Sequence, residues 1–335
     1  MNLSIGCSGE ARANTGIGVV QRALYPRLER MGLTLHRSET RDLGSGFVNT
    51  PRGMIRGLTP ARGSYDVYLS AVPPLPINVR TPIVSIVYDL RWRETRGAIA
   101  RAYRANDLAR TVARSNLLLC ISERTRDDLI EEFPRATHKS IVTLLGPGLA
   151  STNNADARRR EPGLALLIGG ARHKRNELAV RMLAELPRSL VTRIAGIGVS
   201  QETQALAQLK FGDNACEWYQ QISDEEVREL YARAEYFVLL SNDEGFGLPY
   251  IEALTHGCHV VATRQALTDD LLGDAGILLH LAEPHRMAAE FVEHSRPSIA
   301  ARHARARRYD WDVFAEEVAD ALIRAAHSGP ISRSE

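Results

Sequence analysis

The stretch Glu244-Gly245-Phe246-Gly247-Leu248-Pro249-Tyr250-Ile251-Glu252 sits between two apolar runs, Tyr236-Phe237-Val238-Leu239-Leu240 and Cys258-His259-Val260-Val261-Ala262. Short apolar runs bounded by turn residues read as buried strands. Pro249 suits the first helical position, where its missing N–H costs nothing. Gly257 stands just past the helix end, at a position that favours the left-handed backbone conformation. The stretch therefore predicts a strand, a glycine turn, a short helix and a second strand.

That arrangement directs the unpaired N–H groups of the turn and first helical turn beyond the strand's carboxyl end, where they suit an anion such as a phosphate. Gly245 and Gly247 permit close backbone approach and unusual dihedrals. Glu252, about one turn into the helix, can accept two hydrogen bonds from a vicinal diol such as a ribose. Glu244, on the turn, can reach hydroxyls of a group attached beyond the phosphates. Phosphates, a ribose and a further polyol describe a nucleotide sugar. The plain alternative is an ordinary α/β turn with two solvated glutamates. Two carboxylates eight positions apart, in a strand–turn–helix context, weigh against it.

A chain of 335 residues is long enough for two α/β domains with full cores. No apolar run approaches the roughly 20 residues that a membrane-spanning helix needs, and Met1-Asn2-Leu3-Ser4 opens no signal peptide. Cys7, Cys120, Cys216 and Cys258 are scattered without metal-ligand spacing, as expected of free thiols in a reducing cytoplasm. His256-Gly257-Cys258-His259 is better read as a helix-end histidine followed by a strand than as a zinc site. Charge is uneven. Residues 1–150 hold 21 Lys and Arg against 13 Asp and Glu, whereas residues 151–335 hold 21 against 27. The basic first half would favour an anionic acceptor or an anionic membrane surface; solvated faces are the bland alternative. The run Arg302 to Arg308 has no aromatic interleaving and reads as a solvated helix face, so no nucleic acid is expected.

Strands and helices alternate along both halves, the signature of a parallel sheet covered on both faces. Leu3 to Cys7, Val67 to Leu69, Ile83 to Val87 and Leu117 to Ile121 read as strands of the first half. Gly16-Ile17-Gly18 leads into an amphipathic helix with apolar positions Val19, Val20, Ala23, Leu24, Leu28 and Met31. Helices are expected from Ala98 to Ala113 and after Ser122, a suitable N-cap. Ser151 to Gly163 is polar, charged and closed by Pro-Gly, and reads as a linker. Alternation restarts with the strand Leu164 to Ile168 and its glycine turn Gly169-Gly170. Leu190 to Gly196 reads as the next strand, Asp224 to Ala234 as a helix, and Trp311 to Ala326 as the last helix. Arg172, Lys174 and Arg175 follow the Gly169-Gly170 turn where a helix begins, a place where cations would oppose a diphosphate. Ligands in open α/β sheets bind beyond the carboxyl ends of the strands, so this turn and the one at Glu244 are expected to converge.

These residues resemble the retaining glycosyltransferases of family 4, across almost the whole chain. Asn14-Thr15-Gly16-Ile17-Gly18 resembles the family's N-terminal glycine loop, and Tyr88-Asp89-Leu90 stands at its His-Asp-Leu. Cys120-Ile121-Ser122-Glu123, Gly146-Pro147-Gly148, Arg175-Asn176, Ser223-Asp224-Glu225-Glu226 and Tyr309-Asp310-Trp311 resemble further family elements. Glu244 to Glu252 matches its Glu-x7-Glu element, the most specific mark.

The resemblance implies the GT-B architecture: two Rossmann-like, doubly wound α/β domains facing across a cleft. It sets residues 1–155 as an acceptor-binding domain, 156–310 as a nucleotide-sugar domain, and 311–335 as a helix crossing back. It implies catalytic roles for Glu244, Asp89 and Tyr88. It implies donor binding by Gly16, Gly18, Gly170, Arg172, Lys174, Arg175, Gly245, Phe246, Gly247, Leu248 and Glu252. It further implies retention, no metal and no cofactor, with a UDP- or GDP-sugar as substrate. Tyr88 for the family histidine and Arg175 for its lysine are departures: a phenol is a poor proton acceptor at neutral pH, and arginine meets a diphosphate with different geometry. The expected acceptor is a glycan, a lipid-linked glycan or a small-molecule hydroxyl, in a cytoplasmic protein with a peripheral membrane setting through the basic first half. A non-catalytic sugar-nucleotide or glycan binder, and an enzyme glycosylating a secondary metabolite, are the alternatives.

Overall fold

The computed structural model describes residues 3–9, 11, 16–37, 63–90, 97–149, 160–242, 244 and 246–330. Asn14, Thr15, Gly245 and most of the expected linker lie outside these residues. The chain divides into two compact units, Met1–Gly146 with Asp310–Glu335, and Pro147–Tyr309.

In the first unit six strands form one parallel sheet: β1 (Ser4–Cys7), β2 (Thr34–Arg37), β3 (Val67–Ser70), β4 (Ile83–Val87), β5 (Leu117–Cys120) and β6 (Ser140–Val142), in the order β2-β1-β3-β4-β5-β6. Strand β4 is buried at every position, and β3 likewise, because helices cover both faces of a parallel sheet. Helix α1 (Gly16–Arg30) follows β1, α2 (Ala98–Arg114) precedes β5, and α3 (Glu123–Glu132) follows it. Ser122 caps α3 by accepting from the Thr125 amide at 3.1 Å. The face of α1 differs from the sequence reading. Gln21 and Tyr25 are buried, whereas Met31 is 41% exposed. The Gln21 amide explains this: its oxygen accepts from the Ala11 amide at 2.7 Å, and its nitrogen donates to the Gly9 carbonyl and the Tyr25 hydroxyl. A polar group so satisfied can be buried at little cost.

In the second unit the strands β7 (Glu161–Ile168), β8 (Arg193–Ile197), β9 (Cys216–Tyr219), β10 (Ala234–Leu239), β11 (His259–Thr263) and β12 (Gly276–Leu279) run in the order β12-β11-β10-β7-β8-β9, all parallel. Counted within the unit this is 3-2-1-4-5-6 read from the other edge, the dinucleotide-fold order whose direction of growth reverses between β7 and β10. Helices α4 (Asn176–Ala184), α5 (Gln201–Phe211), α6 (Asp224–Arg233), α7 (Leu248–Thr255), α8 (Ala266–Leu272), α9 (Pro284–Glu293) and α10 (Ile299–Ala306) connect and flank these strands. Helix α11 (Trp311–Ser328) returns to the first unit, where Asp312 meets Arg27 of α1 at 2.7 Å.

Strand β7 begins at Glu161, inside the expected linker; its first residues pair irregularly, with a register shift opposite Ala234 and Tyr236, which accommodates Pro162 and Gly163. Strand β8 begins at Arg193, not Leu190. Arg302, expected on a solvated face, is 7% exposed, and its side chain packs near Cys258, Glu235 and Tyr236. Among the described residues no helix is long and apolar enough to cross a membrane.

Candidate active site

Two turns leave the sheet of the second unit at the point where its order reverses, one from β7 and one from β10. The first runs through Gly169, at φ +79°, and Gly170. A Cβ on Gly170 would sit 2.9 Å from the Gly198 carbonyl oxygen, so the backbone approach there requires glycine. Arg172–Lys174 then makes one 3₁₀ turn, Arg175 takes the left-handed conformation at φ 52°, and α4 begins. Asn176, buried at the start of α4, donates from its side chain to the Ile168 and Gly169 carbonyls and so ties the turn to its strand.

The second turn leads from β10 into α7. Gly247 precedes the helix at φ +79°, Leu248 is its first residue, and Pro249 its second rather than its first. A Cβ on Gly247 would stand 2.6 Å from the Tyr250 ring and 3.1 Å from Leu271. Gly247→Ala is therefore expected to lower stability by about 1–3 kcal/mol, from strain at positive φ plus the clash; urea unfolding of the two proteins checks it. The far end of α7 closes as expected from sequence: Gly257 is at φ +77°, its amide bonds the Leu254 carbonyl at 2.9 Å, and the Cys258 amide bonds that of Ala253 at 2.8 Å.

The structure brings these turns together. The Asn242 amide donates to the His173 carbonyl at 3.1 Å. Lys174 Nζ lies 3.3 Å from Glu244 Oε1, and His173 Nε2 lies 3.9 Å from the same oxygen. The Lys174 and Glu244 side chains are only 16% and 12% exposed, so the pair is screened far less than a surface ion pair. Glu244 Oε2 takes no hydrogen bond among the described residues. Arg172 is exposed, and Arg175 Nη1 is buried without a hydrogen-bond partner among the described residues. Phe246 is buried against Tyr309, ring centroids 5.9 Å apart, which anchors the turn from below.

Glu252 lies at the fifth position of α7. Its Oε2 accepts from the Tyr231 hydroxyl at 2.9 Å, and the Leu149 amide also donates to its carboxylate. Burial pushes the Glu252 carboxyl up to about 7; the Asp224 charge adds to this, while the Tyr231 and Leu149 hydrogen bonds and Lys174 pull it back.

The remaining predicted residues lie in the first unit. Gly16 and Gly18 form the first turn of α1, Gly16 exposed and Gly18 buried. Tyr88 and Asp89 follow the end of β4, with Asp89 exposed. The Tyr88 hydroxyl donates to the Ala71 carbonyl at 2.9 Å, and burial holds its acidity well below that of an ordinary phenol, so it keeps its proton. Sequence reasoning gave no site role to His173, Asn176 or Tyr231, although Asn176 and Tyr231 lie in stretches that resemble family elements. His173 stands between two residues that were chosen, while Tyr231 reads as an apolar helix position until Glu252 is seen against it.

Residues 155–296 match the family described as glycosyl transferases group 1. The chain is 26% identical over 223 residues to the MMP alpha-(1->4)-mannosyltransferase of Mycolicibacterium hassiacum, covering 63% of this chain and 53% of that one. It is 30% identical over 190 residues to the GDP-mannose:cellobiosyl-diphosphopolyprenol alpha-mannosyltransferase of Komagataeibacter xylinus, covering 51% and 48%. Among solved structures it resembles sucrose-phosphate synthase from Thermosynechococcus elongatus, with a TM-score of 0.72 at 14% identity over 98% of this chain and 100% of that one. It also resembles Anabaena HepE, solved in complex with UDP and glucose, with a TM-score of 0.67 at 15% identity over 96% and 100%. The two parallel six-stranded sheets are those of the GT-B fold. The chain therefore has the GT-B fold, and its residues 155–296 match the glycosyl transferases group 1. It spans about half the length of the two mannosyltransferases it matches.

Proposed function

We propose that this chain is a retaining glycosyltransferase of family 4 that moves a sugar from a nucleoside-diphosphate sugar to an acceptor hydroxyl. The observation that carries the reading is the Lys174–Glu244 pair at the reversal point of the sheet, with Glu252 one turn up the adjoining helix. In this reading Lys174 and the first amides of α7 offset the charge that develops on the departing diphosphate. Glu244 Oε1 holds Lys174 in position, and Oε2 accepts from hydroxyls of the transferred sugar. Glu252 accepts from the ribose, Arg172 and Arg175 extend the cationic field, and Phe246, Gly247 and Leu248 line the approach. Gly16, Gly18, Tyr88 and Asp89 belong to the acceptor-binding unit, where Asp89 follows a strand end suited to meeting substrate.

The reaction needs no metal, because fixed cations and amides supply the charge stabilisation. The attacking hydroxyl enters on the face the diphosphate leaves, and the leaving phosphate takes its proton, so configuration is retained. The mannosyltransferases among the relatives favour GDP-mannose as donor, and the acceptor is a glycan or lipid-linked glycan. The basic first half suits an anionic acceptor of that kind on the cytoplasmic side of a membrane.

Incubation with GDP-mannose and a panel of UDP- and GDP-sugars, in chelator, tests this directly. Release of the nucleoside diphosphate with transfer of the sugar is expected for one donor. Absence of turnover with every donor, chelator or not, would sink the proposal. A second reading, a non-catalytic sugar-nucleotide binder, draws on Tyr88, whose hydroxyl is committed to the Ala71 carbonyl; it predicts donor binding by calorimetry with no transfer.

A further inference from the structure

We propose that Tyr231 is a positioning residue of the donor site, whose buried hydroxyl fixes the Glu252 carboxylate in the orientation that a ribose diol requires. The inference rests on the assignment of Glu252 to the ribose made above.

Tyr231 lies in the last turn of α6 and is fully buried. Its ring is held between two others: Phe237 of β10 at 5.6 Å, and His256 at the end of α7, stacked at 5.5 Å with 11° between planes. A ring clamped on both sides cannot follow a moving partner, so the 2.9 Å bond to Glu252 Oε2 fixes the carboxylate in place. An ionised carboxylate has about four acceptor positions. Tyr231 and the Leu149 amide use two, which leaves two for the two hydroxyls of a diol.

Protonation would spoil this, because a carboxylic acid presents a donor where the diol also presents donors. The charged groups facing Glu252 are Asp224 at the start of α6, which disfavours ionisation, and Lys174 of the β7 turn, which favours it. Burial disfavours ionisation most. The Tyr231 hydroxyl, whose own acidity burial suppresses, is a donor that stays protonated and opposes these effects. Its removal therefore raises the pH at which Glu252 ionises. Diol binding exists above that pH and is lost below it, so the binding profile moves to higher pH.

The test is calorimetric binding of GDP and UDP, each beside its 2′,3′-dideoxy analogue, from pH 6 to 9. The ratio of the two affinities cancels the titration of the phosphates, which both ligands share. In wild type the preference for the ribonucleotide is expected to rise as pH passes about 7. In Tyr231→Phe the rise moves upward, leaving ribonucleotide binding at least about fivefold weaker at pH 7 for a one-unit displacement, with only the smaller deficit from the unfixed carboxylate remaining near pH 9. Dideoxy binding is the same in both proteins. Glu252→Gln shows no pH-dependent preference. Incorporation of 3-fluorotyrosine at position 231 keeps the ring, strengthens the donor and moves the rise to lower pH, which preserves the test should Tyr231→Phe fail to fold. Equal weakening of both ligands, or unmoved profiles in both variants, overturns the inference alone. Wild-type protein that binds no nucleoside diphosphate overturns the proposed function, and this inference with it.

Discussion

Glu244→Ala is expected to lower kcat for the proposed sugar transfer by about a thousandfold, the scale on which removal of a group aimed at the reacting centre acts. In the proposed function Glu244 addresses the sugar and not the nucleoside, so the loss should fall on the chemical step. Affinity for the nucleoside diphosphate alone is unchanged or tighter, since Lys174 loses the anion that neutralises it at 3.3 Å and is released to the diphosphate. This split separates a catalytic role from damage to the fold, which would weaken both. Single-turnover rates and calorimetric binding of the nucleoside diphosphate measure the two halves. Parallel loss of both would show that the glutamate only holds the turn together.

Lys174→Ala is expected to lower kcat/KM by about a hundredfold and to weaken binding of the nucleoside diphosphate, while binding of the monophosphate should change little. A lysine acts as a compact charge, so its removal is felt where the second phosphate sits and not along the whole ligand. Lys174→Arg restores part of the loss, because a guanidinium also supports a diphosphate with different geometry. The double substitution with Glu244→Ala is less damaging than the sum of the two, as expected of residues sharing one ion pair. Equal loss for mono- and diphosphate would contradict the placement of Lys174 at the diphosphate.

Legibility followed position in the sheets. The eight strands read from sequence are the interior ones, where burial on both faces leaves a continuous apolar run. The four that escaped, β2, β6, β9 and β12, are the edges of the two sheets. Thr34–Arg37 and Cys216–Tyr219 carry polar or charged residues at half-buried or exposed positions, so no run of apolar residues announces them. Each turn of the site was legible because its chemistry is local: glycines, cations or carboxylates within ten residues of a strand end. Their pairing is not local. Lys174 and Glu244 are 70 positions apart, and only the reversal of strand order between β7 and β10 makes them neighbours. Tyr231 was illegible for a different reason, since an aromatic residue at helical spacing reads as core and its hydroxyl declares no partner. Arg302 misled in the opposite sense: a run of arginines reads as a solvated face, and nothing in that run marks the one that packs inward.

A crystal structure with the nucleoside-diphosphate sugar that the donor panel identifies tests the donor site most directly. The diphosphate is expected within hydrogen-bonding distance of Lys174 Nζ and the first amides of α7, the transferred sugar on Glu244, and the ribose diol on Glu252. A nucleotide bound away from the β7 and β10 turns, or held there with its ribose remote from Glu252, would contradict it.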